Sequence, residues 1–478
     1  MGKLKSNFIY DTVYQILLLI IPLITTPYVA RTVGANGVGV YSYTYSIVSY
    51  FMLFALLGMN NYGNREVSKN RDNQEKLNYV FTSIYVLQLI ITIIVTIVYI
   101  VYVLIAHTSY MDFELIQILY LISVAFDINW LFCGLQKFKI TITRSAIIKV
   151  ATLILILCFV KNEGDLWKYI LILAATTLLN QMVLWPFRKK EVKFVKVKAK
   201  DVLRHLKPTL MLFIPIISMS IYNLMSKIML GQMTSMEDVG YYENANKMLN
   251  IVLTIVSALV TVTLPQMTYL YNNGKKEEFN RILSKSIEFI YFMAFPVIFG
   301  FLATGDMLVK IYLGDGFLQC STILKVLSFM LMFMPIANVI RMQYLIPRNK
   351  DKEYIISIVT GAIVNLLLNL FTIGKYGAIG AAISAVITQF VIAFLQFFLI
   401  RKEFSVKQYI LPILSFLWKS FVMYIIVIGL GMLIKDELIK FIVQVLVGVL
   451  VYCLLNIKYI TEQIGIRDIL RKLKKKIN

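Results

Sequence analysis

Apolar runs of about 18 to 25 residues recur along the whole of this chain, each the length of helix that crosses the hydrocarbon core of a bilayer. A soluble fold has no use for so many. Its helices carry one apolar stripe against the core, whereas these runs are apolar on every side. The composition agrees: 59% of the residues are hydrophobic and the mean hydropathy is +0.75. The formal net charge of +22 is therefore not the footprint of a nucleic-acid-binding protein, whose cations would be spread over amphipathic elements. The sequence predicts an all-α polytopic membrane protein. Lys3 and Lys5 precede an apolar stretch with no small-residue cleavage site, so the first span is expected to be retained.

Charge gives an independent count of the spans. With about fourteen transmembrane helices, alternate loops become rich in Lys and Arg, as loops that stay in the cytoplasm are. One side takes the N-terminus, Arg65 to Lys76, Lys137 and Lys139, Arg188 to Lys207, Lys275 to Arg281, Arg348 to Lys352, Arg401 to Lys407 and the C-terminal tail. Those segments hold roughly 35 of the 48 Lys and Arg, and the opposite loops about six. An even number of spans with both termini cytoplasmic follows. The expected organisation is two six-helix lobes, 1–187 and 209–400, joined by a basic cytoplasmic linker, 188–208; an extra helix pair, 401–460, and a basic tail, 461–478, come last. The linker and tail suit the surface of an anionic leaflet.

The two lobes are repeats. Val38-Gly39-Val40-Tyr41 returns as Val239-Gly240-Tyr241-Tyr242, and each copy follows an apolar span containing a proline, then a cation, then a glycine. In the first copy these are Pro22, Arg31 and Gly34; in the second they are Pro215, Lys227 and Gly231. Repeated bundles in a membrane place a transported substrate at their seam.

Other chemistries lack their parts. No Gly-x-x-x-x-Gly-Lys-Ser/Thr loop is present for nucleotide phosphates, and Gly34 to Gly39 lies between two spans and not in a strand-turn-helix unit. His107 and His205 fall in different loops, and Cys133, Cys158, Cys320 and Cys453 are scattered, so neither a metal site nor a disulfide framework is expected. No cofactor is expected beyond a coupling ion, proton or sodium, for which Asp127 is the best in-span carboxylate.

What remains is polar chemistry inside the spans, where a cation costs about 2.5 to 3.5 kcal/mol and is usually turned to a cavity or paired. Arg31, Lys227 and Lys247 fall toward the extracytoplasmic side, Lys149 and Arg341 toward the cytoplasm, and two cationic tiers suit an anionic headgroup received on one side and released on the other. Arg31 can also snorkel to the interface, and Glu243, one turn before Lys247, has the spacing to neutralise it. Asn365 and Asn369 share a helix face suited to hydrogen bonds with a neighbouring helix. Ser42, Ser46 and Ser49 form a stripe beside Tyr41 and Tyr45.

Four stretches together carry a resemblance: Pro27-Tyr28-Val29-Ala30-Arg31-Thr32-Val33-Gly34 into Gly39-Val40-Tyr41; Asp127-Ile128-Asn129-Trp130 to Phe138; Lys227-Ile228-Met229-Leu230-Gly231 into Val239 to Tyr242; and Asn365 through Asn369 to Gly377-Ala378-Ile379-Gly380-Ala381-Ala382. In their order and spacing the chain resembles the bacterial polysaccharide flippases, the polysaccharide transporter family of the multidrug/oligosaccharidyl-lipid/polysaccharide exporter superfamily. Where that pattern has an aspartate before the second-half lysine, this chain has Ser226, which removes a carboxylate partner for Lys227 at that position.

The resemblance implies a transporter of the bacterial cytoplasmic membrane, not an enzyme, working by alternating access around a cationic cavity. Its cargo would be a polyprenyl-diphosphate-linked oligosaccharide, with anionic lipids, a glycan polymerase and glycosyltransferases as partners, and the last two helices offering a groove for the lipid tail. A lipid II flippase and a multidrug exporter share the architecture, though cationic drugs call for an acidic cavity. A membrane glycan polymerase or ligase would need a large outer domain, and the longest outer loop expected here, 304–321, is short. The charge alternation makes one direct prediction: in a background lacking the native cysteines, a cysteine at Ser235 is labelled by an impermeant thiol reagent from outside, and one at Asn273 is not. Labelling of both from one side breaks the fourteen-helix topology.

Overall fold

The computed structural model describes residues 2–401 and 407–463; the tail expected over 461–478 lies mostly outside the described residues. Ten stretches are long and apolar enough to cross a membrane, and an eleventh, Gln319–Ser328 with Met330–Arg348, is a pair bent by 41°. Two of the ten, Ile20–Asn70 and Asp351–Ile400, each contain two spans, and Met236–Asn272 adds one more. Among the described residues this makes the expected fourteen.

The spans are as follows. The continuous stretch Gly2–Leu56 parts at Gly34 (φ 73°, ψ 176°) into α1 and α2. Gln74–Ala106 is α3, and α4 is the broken run Met111–Ile116, Ile118–Ala125 and Asn129–Gly134. Phe138–Phe159 is α5, Leu166–Met182 is α6, and α7 runs as Leu206–Ser220 and Ser226–Met233 through a wide turn over Ile221–Met225. Met236–Asn272 is α8 and Lys276–Leu313 is α9. The bent pair is α10, and Asp351–Ile400 parts at Gly377 (φ 53°, ψ −133°) into α11 and α12. Lys407–Leu433 and Glu437–Leu455 are α13 and α14.

One loop expectation is corrected. The segment expected as an outer loop over 304–321 is mostly helix, because α9 continues to Leu313 and α10 begins at Gln319. Its polar residues are answered within α9 or by α10: Thr304 Oγ1 donates to Gly300 O at 2.9 Å, and Asp306 Oδ2 pairs with Lys325 of α10 at 2.7 Å. Glu277 and Glu278 in the first turn and Lys310 in the last complement the helix dipole, so the helix outlasts its apolar window at both ends.

The chain divides into two compact units that cut across the repeat. One holds Met1–Asn244 with Ala362–Ala381, the other Ala245–Gly361 with Ala382–Asn478. The first unit thus combines α1 to α7, the opening turns of α8, and the ends of α11 and α12 around Gly377. Its core toward the basic loops gathers Tyr62, Phe81, Ile84, Trp130, Phe132 and Val192.

Breaking a helix at membrane depth frees backbone groups that lipid cannot satisfy. At the break in α4, Gln88 Nε2 from α3 donates to Val124 O and Asp127 O at 2.7 and 2.8 Å, while Gln88 Oε1 accepts from Trp130 Nε1 at 3.0 Å. Asp127 Oδ1 accepts from Asn129 N at 2.9 Å. At the wide turn of α7, Ser220 O accepts from Tyr50 OH of α2 at 3.2 Å.

The linker is built into the same unit. Lys193 N donates to Asn78 Oδ1 (2.9 Å) and Val195 N to Thr82 Oγ1 (3.2 Å), both on α3. Glu191 pairs with Lys137 at 2.5 Å, and the Arg188 guanidinium lies 4.5 Å from the Phe194 ring centroid. His205, 2% exposed, is held between Tyr62 OH (2.7 Å) and Ser83 Oγ (2.8 Å). A segment that the sequence paints as a solvated basic run is therefore fixed along α3 by its backbone and its few non-basic residues.

In the second unit, α9 packs on α10, α13 and α14. Tyr452 OH of α14 donates to Phe292 O of α9 at 2.9 Å, and Gln444 Nε2 donates to Val427 O of α13 at 2.9 Å.

The two Val-Gly copies of the repeat meet in the first unit. A Cβ at Gly39 would overlap the carbonyl oxygen of Met236, and a Cβ at Gly240 would overlap that of Ala35. Met236 stands four residues before Gly240, and Ala35 four before Gly39, so each glycine receives the carbonyl one turn upstream of its counterpart. The contact is self-complementary, as a two-fold interface is. Glycine is required because helices approach this closely only where a side chain is missing. Gly39→Ala and Gly240→Ala must each push two backbones apart, at a cost of about 1 to 3 kcal/mol. Gly429→Ala in α13, where nothing lies within 4 Å of the added carbon, should be neutral or stabilising by up to about 1 kcal/mol. Thermal unfolding in detergent compares the three; equal melting temperatures for Gly39→Ala and wild type refute the close contact.

Candidate functional site

In the first unit the polar residues of the second repeat converge beside the glycine contact. The wide turn Ile221–Met225 inserts one extra residue into α7 and so re-aims everything after it. Ser226 and Lys227 follow at once, and both are buried. Lys227 Nζ lies 3.1 Å from Glu243 Oε2, with side-chain exposures of 10% and 13%. Glu243 comes three residues after Gly240, so this ion pair ties α7 to the start of α8 at the point where the glycine contact fixes their position.

Ser226 takes a different set of partners. Asn369 Nδ2 donates to Ser226 Oγ at 2.9 Å and to Asn365 Oδ1 at 3.1 Å, and Ser226 Oγ lies 3.5 Å from Asn365 Oδ1. All three are fully buried. The result is a neutral hydrogen-bonded set between α7 and α11 next to a charged pair between α7 and α8. An aspartate at 226 would put a second carboxylate one residue from Lys227; serine leaves Glu243 in that role.

The remaining candidates are spread out. Arg31 is exposed at the end of α1 and Lys149 is exposed on α5, both in the first unit. Lys247 and Arg341 belong to the second unit and are half-buried. Arg341 Nη2 donates to Asn338 Oδ1 (2.8 Å) and Nη1 to Tyr354 OH (3.0 Å), so its fork is held by neutral acceptors at the wide turn Ile340–Leu345 of α10. Asp127 is buried in the break of α4, where its carboxylate caps Asn129. Ser42 and Ser46 are buried inside the lobe, and Ser46 Oγ donates to Ser42 O at 2.6 Å.

Sequence reasoning missed two features. The first is the choice of Glu243 by Lys227, which depends on how α7 and α8 are rotated about their axes. The second is a tyrosine cluster across α2, α4 and α6: Tyr41 stacks on Tyr45 at 5.4 Å, Tyr169 meets Tyr41 edge-on at 5.1 Å, and Tyr120 meets Tyr45 edge-on at 5.1 Å. Tyr41 and Tyr120 also share a 3.4 Å hydroxyl contact. In the second unit, α9, α13 and α14 leave an apolar cavity of about 360 Å³ lined by Phe292, Pro296, Gly300, Met423, Val427 and Gly448. Among the described residues no group of three His, Cys, Asp or Glu side chains is placed to hold a metal.

Comparison with known proteins places these features in context. Residues 4–271 match the family described as polysaccharide biosynthesis protein. A protein of Escherichia coli (strain K12), provisionally named an O-antigen transporter, is 22% identical over 410 residues, covering 84% of this chain and 97% of that protein. A Haloferax volcanii protein, provisionally named a low-salt glycan biosynthesis flippase, is 23% identical over 239 residues, half of each chain. The solved structure of the lipid II flippase MurJ in an inward closed conformation superposes with a TM-score of 0.74 at 16% identity, covering 96% of this chain and 99% of that one. That likeness establishes the fold, a polytopic all-α architecture.

The buried network yields a stability test. Asn369→Ala leaves Ser226 Oγ and Asn365 Oδ1 without their shared donor and should cost about 1 to 3 kcal/mol. Asn369→Asp, with an acceptor where the donor stood, should cost at least as much. Detergent melting curves read both, and an Asn369→Ala melting temperature equal to wild type removes the network from the account of how α11 is held to α7.

Proposed function

The chain belongs to the polysaccharide biosynthesis protein family, and on that footing we propose that it is a flippase for a lipid-linked glycan in the assembly of a cell-surface polysaccharide. The cargo is an oligosaccharide on a polyprenyl diphosphate, turned from the cytoplasmic to the outer leaflet of a bacterial plasma membrane by alternating access. Support comes from the family match over more than half the chain and from relatives provisionally named for O-antigen transport and glycan flipping. The single structural observation that carries the reading is Lys227, a cation buried at span depth beside a polar, hydrogen-bonded niche.

Each part of such a cargo has a counterpart in the chain. Arg31, Lys227 and Lys247 meet the diphosphate on the extracytoplasmic side; Lys149 and Arg341 serve toward the cytoplasm. Stacked tyrosines offer sugar rings flat apolar faces with hydroxyls at the edge. The apolar cavity of α9, α13 and α14 has the chemistry of a polyprenyl tail. Both termini and the basic linker face the cytoplasm, where anionic lipid attracts them. For the driving ion we keep Asp127 as the candidate, with the condition that a proton or sodium ion there competes with the Asn129 N–H for the same carboxylate.

Arg31→Ala and Lys227→Ala test the reading in cells that depend on this chain for glycan export. Each removes charge-assisted hydrogen bonds worth about 1.5 to 3 kcal/mol, so export at matched protein level should fall by about ten- to a hundredfold while lipid-linked precursor accumulates inside. Arg31→Lys should retain more activity than Arg31→Ala, though it loses bidentate geometry. Wild-type export by both alanine variants, singly and combined, moves the headgroup site to Lys149 and Arg341.

A further inference from the structure

We propose that Glu243 is a built-in competitor for the anion site of Lys227: its carboxylate occupies the ammonium in the arrangement seen here, and only a multiply charged headgroup displaces it. The inference rests on the reading of the cargo as a diphosphate-linked lipid and adds a residue that selects for that headgroup.

The geometry supplies the first step. Lys227 Nζ and Glu243 Oε2 are 3.1 Å apart, and neither side chain is more than 13% exposed. Withdrawing the carboxylate with nothing in its place leaves a buried unpaired cation, the costly outcome for any such pair. Exchange of one anion for another avoids that cost. An ammonium is a point charge that accepts carboxylate or phosphate oxygen alike, so Lys227 imposes no shape of its own.

Competition then sets a threshold. Glu243 is on the same chain as Lys227, separated from it by a single turn between helices, and its effective concentration at the ammonium is on the order of millimolar or higher. A free monovalent anion gains from Lys227 about what Glu243 already provides and must in addition lose its own translational freedom. A diphosphate brings two or more charges, and its surplus attraction overcomes the resident carboxylate. On one side of the pair Ser226, Asn365 and Asn369 are neutral and hydrogen-bonded to one another, and Lys247 follows Glu243 by one turn of α8. Glu243 also lies in the opening turns of α8, three residues after Gly240, so its release from Lys227 removes an ion pair between α7 and α8.

The test is a calorimetric titration of the full-length protein in lipid nanodiscs at about pH 5, where inorganic phosphate carries a single charge and pyrophosphate two, with inorganic pyrophosphate and, separately, inorganic phosphate. Wild type should bind pyrophosphate and show little binding of phosphate. Glu243→Gln should bind pyrophosphate about tenfold more tightly or better and acquire phosphate binding, and Lys227→Ala/Glu243→Gln should lose both gains. Glu243→Asp, whose carboxylate is retracted by one methylene, should fall between wild type and Glu243→Gln and serves if the glutamine variant does not fold. Pyrophosphate affinity unchanged by Glu243→Gln or Glu243→Asp, no pyrophosphate binding by any variant, or a gain that survives the loss of Lys227 each overturns the exchange. Glycan export is scored in parallel. Tightening by Glu243→Gln in a chain that exports no glycan leaves the exchange standing and takes down the flippase reading.

Discussion

Lipid offers no hydrogen bonds, and every departure from an unbroken apolar helix has to be answered from within the protein. Each irregular place in the first unit shows the answer. At the break in α4 the Gln88 amide donates to two carbonyls, Val124 O and Asp127 O. At the wide turn in α7 the Tyr50 hydroxyl donates to Ser220 O. The polar residues behind that turn are closed into one neutral set and one ion pair. The irregularities are what aim functional side chains, and the partners on α2, α3, α8 and α11 are what make the irregularities tolerable. Site and scaffold are therefore one set of interactions.

This constraint explains which parts were legible in the sequence. The fourteen spans could be read because apolar length and the alternation of basic loops are summed over many residues, and no single side chain decides them. The Asp127 to Gly134 stretch could be seen as special, but not why. Its carboxylate caps a break whose carbonyls are held by Gln88, a lone amide forty residues away in an otherwise apolar helix. Glu243 has the one-turn spacing to neutralise Lys247, but that spacing carries no sign that its carboxylate reaches the Lys227 ammonium at 3.1 Å, because contact between helices depends on axial rotation, to which the extra residue in Ile221–Met225 contributes. Local spacing carries no record of a wide turn elsewhere.

Asn365 and Asn369 show the same limit from the other side. Their shared face was readable, yet the group they address is Ser226, the position that reads as a lost aspartate. The carboxylate beside Lys227 stands on α8, as Glu243, and not on α7. The linker likewise carries nine basic residues that dominate any reading by composition, while its placement is set by Val192, Glu191, two backbone N–H groups and His205.

The reciprocal fit of Gly39 and Gly240 couples the two positions. Two identical chains related by a two-fold axis make such a contact twice over, glycine to carbonyl and carbonyl to glycine. Here a single chain makes it between two of its own segments, and neither glycine can gain a side chain alone, since the added carbon collides with the backbone of the other copy. Val38 to Tyr41 and Val239 to Tyr242 therefore act as one lock with two halves, and a change tolerated on one side has to be answered on the other.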